Sequence, residues 1–204
     1  MDGPGEQRFL TLHALRIKGF APATTIAEIV DLPTDAVEVR LRELEVDDLA
    51  RFRDARQLWQ CTAIGREHHA GALACAAAEH QRVLAPHYGD FLPLNEAFKT
   101  LCGEWQLVDG QPNDHSDADR DRAVVARLVA LDIDARAVVR AMSGPVPRLA
   151  PYERRLEASC QRVVAGETTM FTGVMCGSYH DVWMELHEDL ILTQGIDRAT
   201  EGSY

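Results

Sequence analysis

Two incompatible hydrophobic periods stand next to each other near the start of this chain. After Pro33, the apolar residues Val37, Leu41 and Leu44 recur at i, i+4 and i+7, which lines one face of a helix. From Leu49 to Cys61 the string LARFRDARQLWQC alternates instead, and its polar turn at Asp54–Arg56 predicts two short strands paired as a hairpin. Only Glu45 to Asp48 separate the two patterns, with Asp47 and Asp48 next to the strand. Asp tolerates the left-handed backbone better than most residues, so this pair can supply the sharp reversal. A helix that turns at once into a hairpin restricts the chain to a small set of mixed folds.

The flanking segments narrow that set. Residues 1–8 read as a frayed terminus, and Phe9–Lys18 as a helix with Leu12, Leu15 and Ile17 inward and Gly19 as its stop. In TTIAEIV, Thr25 and Glu28 have capping-box spacing for a short second helix. Pro33 opens the third helix, at a position where its missing N–H costs nothing. Residues 62–84 read as one long Ala-rich helix, whose Ala72, Cys75, Ala76 and Ala78 would let another helix approach closely. PHYGD at 86–90 interrupts that pattern, so domains are expected at 1–85 and 86–204.

The second domain carries four helical stripes. These are Phe91, Leu94, Phe98, Leu101 and Trp105; Val124, Leu128, Leu131, Val138 and Met142; Tyr152, Leu156, Cys160 and Val163; and Tyr179, Trp183, Leu186 and Leu190. Between them lie a polar connection at 109–117 and an unusually apolar one at 166–177, with Met170, Phe171, Val174 and Met175. The expected fold is mainly α, a hairpin-bearing domain followed by a four-helix bundle.

Charge limits function. The net charge is −11, and residues 1–85 hold ten Lys and Arg against thirteen Asp and Glu, a balance of −3. Sequence-blind nucleic-acid binding comes from phosphate neutralisation by Lys and Arg, and neither half has the excess it needs. Any such contact must rest on a few local arginines. The five cysteines are scattered and form no C-x-x-C, which argues for reduced thiols rather than a disulfide framework or zinc site. No apolar run has the length of a membrane span, and residues 1–8 lack the shape of a signal peptide. A cytoplasmic location is the expectation.

With the elements placed, the string RLRELEVDDLARFRD…LWQCTAIGREHHA resembles the winged-helix domain of MarR-type bacterial transcriptional regulators over Phe9–Leu84. It matches their run of recognition helix, tight turn, wing and T-x-x-G, here Thr62 to Gly65. One departure is Asp47-Asp48, where the family has a small residue and Gly. The resemblance implies a winged helix-turn-helix with a two-stranded wing and operator DNA as partner. Thr34, Arg40 and Arg42 would face DNA from the third helix, and Arg51, Arg53 and Arg56 from the wing. Arginine can read guanine edges or hold backbone phosphates. Seven acids lie among the five arginines between Thr34 and Arg56, so the expected binding is weak to moderate and salt-sensitive. The helical half is similar to the appended sensor domains of other winged-helix repressors.

That half contains the candidate effector residues. Asn95 interrupts the Phe91–Trp105 stripe from inside, and a buried amide needs a partner. Asn95, Trp105, Trp183 and His187 are expected to line a cavity for a small-molecule effector, closed by the 166–177 connection. The alternative is a solid bundle with Asn95 paired internally. His180 and His187 stand two turns apart, roughly 10 Å of rise, too far for one ion, and neither is expected to join His115 or Asp114 around a metal. Enzyme motifs are absent: HEDLI at 187–191 lacks the second His of H-E-x-x-H, and CGSYH is no nucleophile elbow. No metal or cofactor is expected. The resulting expectation is a homodimeric transcriptional regulator, with a DNA-free protein-interaction module as the alternative.

Overall fold

The structure, a computed structural model, describes residues 3–196. The described chain is mainly helical, with one three-stranded sheet and one two-stranded sheet. It divides into two units, Met1–Gln81 with Glu188–Tyr204, and Arg82–His187. The expected single cut after residue 85 is thus moved and doubled.

In the first unit, α1 spans Pro4–Lys18. Of the expected frayed terminus, residues 1–2 lie outside the described residues, while Pro4–Arg8 are helical because proline fits a first turn. Strand β1 (Phe20–Ala21) leads to α2 (Ala23–Val30). Extended Pro22 is the N-cap of α2, so Thr25 lies inside the helix and the expected capping box does not form. Helix α3 covers Thr34–Val46 and buries Val37, Leu41 and Leu44 as its spacing predicts. The reversal follows at Asp48, whose φ of 57° is left-handed, and Leu49 N–H closes the turn on Leu44 O at 2.8 Å.

Strands β2 (Ala50–Arg53) and β3 (Leu58–Cys61) form the expected hairpin, with Arg51 opposite Gln60 and Phe52 opposite Trp59. β1 adds on the far side of β3, giving the order β1–β3–β2. The sheet's inner face, with Ala50, Trp59 and Cys61, packs with Leu12, Leu15, Ile26, Val37, Leu41 and Leu44 in one core. Its outer face presents Arg51, Arg53 and Phe20.

The expected helix at 62–84 is two helices. Helix α4 (Ala63–Ala74) ends at Cys75, and α5 (Ala77–Gln106) then runs without interruption through 86–90. Pro86 and Pro93 lie inside α5. Each removes one ladder hydrogen bond and crowds the carbonyl four residues back, a local cost that packing along the rest of the helix offsets. The division between units therefore falls inside α5, and again inside the last helix.

In the second unit, β4 (Leu107–Val108) and β5 (Gln111–Pro112) pair across Asp109–Gly110, both left-handed, where a polar loop was expected. Helix α6 (Ala118–Ser143) starts on Asp117, whose carboxylate accepts from Asp119 N and Arg120 N. A 3-10 turn (Pro147–Leu149), α7 (Ala150–Val164), the single-turn α8 (Thr169–Thr172) and α9 (Tyr179–Gln194) follow. The four apolar stripes are buried except for Leu94, which is half-buried, and with one change of register: Val139, not Val138, occupies the inward position on α6. Among the described residues no helix is long and apolar enough to cross a membrane.

Candidate functional site

The arginines expected to face DNA separate into two groups. Those on and beside α3 are neutralised locally. Arg40 pairs with Glu43 at 3.0 Å, Arg42 with Glu45 at 2.8 Å, and Arg51 with Asp48 at 3.3 Å. Arg42 is further tied down, its guanidinium lying 4.9 Å from the Trp59 ring centre and 5.4 Å from that of Phe52. Glu45 also accepts from Phe52 N–H at 3.0 Å. That backbone bond, followed by Arg42, holds the Glu45 carboxyl below its ordinary range. Arg42 and Glu45 therefore act as a strut joining the helix to the hairpin. Thr34, the first residue of α3, is half-buried.

The second group is Arg53 and Arg56, joined by Arg66 on α4, which was not among the arginines expected to face DNA. Among the described residues none of the three has a carboxylate partner. Arg53 Nε donates to Gln60 Oε1 at 2.9 Å, and Arg66 to Cys61 O at 3.4 Å. Arg51, Arg53 and Arg66 line a cavity of about 320 Å³ with Asp48, Gln60 and Ile64. A second cavity of about 280 Å³, lined by Phe20, Ala55, Arg56 and Leu58, shares Arg53 and Gln60 with the first.

Two of the four expected effector residues are engaged with each other. Trp183 Nε1 donates to Asn95 Oδ1 at 2.9 Å, and both are buried. Phe91 stacks on Trp183 at 5.1 Å and meets His187 at 5.4 Å. Trp105 stands apart from these, against Phe171 at 4.7 Å and His115 at 4.5 Å. The internal pairing of Asn95 is thus the arrangement found, and the 166–177 connection is only half a plug. Met170 and Phe171 are buried, but Val174 and Met175 are exposed.

His115 Nδ1 lies 2.9 Å from Asp121 Oδ2, inside a knot made by Asn113. Burial lowers the His180 pKa, with Asp181 opposing. Among the described residues, no three His, Cys, Asp or Glu side chains form a group able to hold a metal. Burial pushes the Cys61 thiol up, with Arg66 and Arg16 pulling the other way.

The first unit also contains a buried chain of polar groups that no sequence motif marks. His13 Nδ1 lies 2.8 Å from His69 Nε2, and His13 Nε2 lies 3.0 Å from Asp189 Oδ1. Thr193 donates to the same oxygen at 2.9 Å, and Phe9 stacks on both imidazoles. Its members come from α1, α4 and α9, and no local pattern foretells a meeting across such separations.

No family model, no curated protein and no solved structure matches the chain.

Proposed function

We propose that the first unit is a winged helix and that the protein is a DNA-binding transcriptional regulator which holds its duplex by the wing. The order of three helices, hairpin and following helix supports the winged-helix reading. The observation that carries the DNA reading is the charge separation. In a chain of net charge −11, Arg53 and Arg56 have no carboxylate partner among the described residues and stand at the hairpin end. Arg40 and Arg42 are paired and held, so α3 contributes little base readout. Wing residues mostly hold the backbone and carry no sequence information directly.

Two phosphate contacts per wing, four in a dimer, predict a modest salt dependence, a log–log slope of about −3.6. Fluorescence-anisotropy titrations of a duplex at several salt concentrations test this. Arg53→Ala and Arg56→Ala should each make the slope shallower by about two, one contact being lost from each wing of the dimer, while Arg42→Ala should leave it unchanged. No binding at low salt, or unchanged slopes in both wing variants, defeats the reading. Two half-sites gripped weakly imply a homodimer, which light scattering would contradict by returning a monomer of 22.6 kDa.

A second reading has its own support. The outer face of α3 exposes Val39 and Val46, at 50% and 86%, beside Asp35 and Glu38. Exposed valines flanked by acids favour contact with a protein over contact with a phosphate backbone. That reading predicts that Val46→Arg abolishes capture of a partner without altering DNA affinity.

A further inference from the structure

The first unit has a second use for its arginines on the outer face of the sheet, away from the helical core. Arg51 and Arg53 alternate along β2 and so point to the same face, and Arg66 closes the cavity from α4. Three guanidiniums there meet one carboxylate, Asp48, which leaves two positive charges in the cleft. Arg53 uses only Nε on Gln60, so its terminal nitrogens can serve a ligand. The adjoining cavity is different in kind. Its wall is mostly apolar, with Phe20, Ala55 and Leu58 beside Arg56, and Phe20 is 44% exposed. At about 320 and 280 Å³, with Arg53 and Gln60 common to both, the two cavities have the volume of a small-molecule site.

We infer that this face binds a phosphate monoester carrying a flat apolar group, with the phosphate among Arg51, Arg53 and Arg66 and the flat group on Phe20. Charge selects the monoester. Near neutral pH it carries roughly −1.5 to −2, matching the two uncompensated positive charges, whereas a diester or a monocarboxylate supplies only one. Guanidiniums suit the phosphate because their planar forks bond its oxygens in pairs. The ring of Phe20 and the side chain of Leu58 supply the apolar platform on which a planar group can lie. The site does not rest on the DNA reading, although the two share Arg53.

Isothermal titration of the full chain with phenyl phosphate, inorganic phosphate and diphenyl phosphate tests the inference. Phenyl phosphate should bind about tenfold more tightly than either of the others, since each lacks one element that the site recognises. Arg66→Gln should weaken phenyl phosphate and inorganic phosphate alike, by about tenfold for a lost charge-assisted bond. Phe20→Ala should weaken phenyl phosphate and leave inorganic phosphate unchanged. Both side chains are exposed or at the surface of the cleft, and thermal melting of the variants verifies that they remain folded. The inference is overturned if diphenyl phosphate binds as tightly as phenyl phosphate, which would mark a backbone-type diester site. It is equally overturned if Arg66→Gln has no effect, or if no phosphate compound binds. Phenyl phosphate binding that survives alongside absent DNA binding removes only the DNA reading. DNA binding without phenyl phosphate binding removes only this one.

Discussion

Gly65 shows how much one residue can decide. A β-carbon there would lie 2.0 Å from Leu49 O and 3.1 Å from Cys61 Sγ, so the start of α4 can approach the end of the hairpin only without one. Thr62 completes the clasp. Its hydroxyl donates to Asp48 O at 2.6 Å and accepts from Gly65 N–H at 2.9 Å, capping α4 and holding the reversal before β2. The T-x-x-G spacing is thus a device for pinning wing to helix, and its glycine is needed for closeness rather than for a special φ. In an isolated helix Gly→Ala gains about 1 kcal/mol. Here the opposing contact is backbone, which cannot swing aside, and overpacking of this kind costs about 1–3 kcal/mol or more. Gly65→Ala should therefore destabilise the first unit by about 1–2 kcal/mol net, read as a lower urea midpoint. A midpoint that rises would show that the helix end relaxes freely and that the clasp is not rigid.

At the scale of elements, α5 is the test case. Pro86 and Pro93 are exposed and inside a 30-residue helix, where each deprives the carbonyl four residues back of its donor. Since neither ring is buried, Pro86→Ala and Pro93→Ala should each raise stability, by up to about 3 kcal/mol and by less where the helix has already bent. Differential scanning calorimetry would show a higher Tm for both. A lower Tm would mean that a bend at the proline is part of how the bundle packs. The same helix marks where sequence reading succeeded and failed. Its stripe from Phe91 to Trp105 was legible because burial on one helical face leaves a period in the residues themselves. Its continuity through PHYGD was not, because a proline's local cost is visible in sequence while the packing that outweighs it is not. The break at Cys75–Ala76 is the reverse case, an interruption of the helix with no proline or glycine to announce it. For the candidate site, the arginines of the wing were legible as residues, but their state was not. Whether Arg42 is free or stacked on Trp59 depends on partners that hairpin register brings near, and Arg66 enters only because α4 leaves the sheet at the clasp.

For the molecule as a whole, the distribution of buried acids and thiols fixes how stability follows pH. Three groups of the second unit are held neutral by burial. Cys102 is pushed up to about 12 and Cys160 to about 11. Tyr179 is raised well above its ordinary value, with the nearby Asp132 carboxylate adding to the effect of burial. Asp132 itself is raised by burial, with Arg136 opposing at 2.8 Å. For the thiols and the phenol, the unfolded chain releases its protons first, near their ordinary values of about 8.5 and 10. Above that point the native state binds more protons than the unfolded one, so stability falls as pH rises. The stability these groups hold is complete below the thiols' unfolded pKa and is lost as pH climbs through the folded values of about 11 and 12. The helical unit should therefore melt at progressively lower temperature between about pH 8.5 and 11. Cys160→Ala should make that decline shallower, because one of the linked protons is gone, even where removal of the buried sulfur lowers Tm at neutral pH. Melting curves recorded across the range by circular dichroism separate the two effects, since the first changes the slope against pH and the second only the level. Parallel slopes for the wild type and Cys160→Ala would mean that the thiol reaches water before the unit unfolds, and the alkaline decline would then belong to Tyr179 and Cys102 alone.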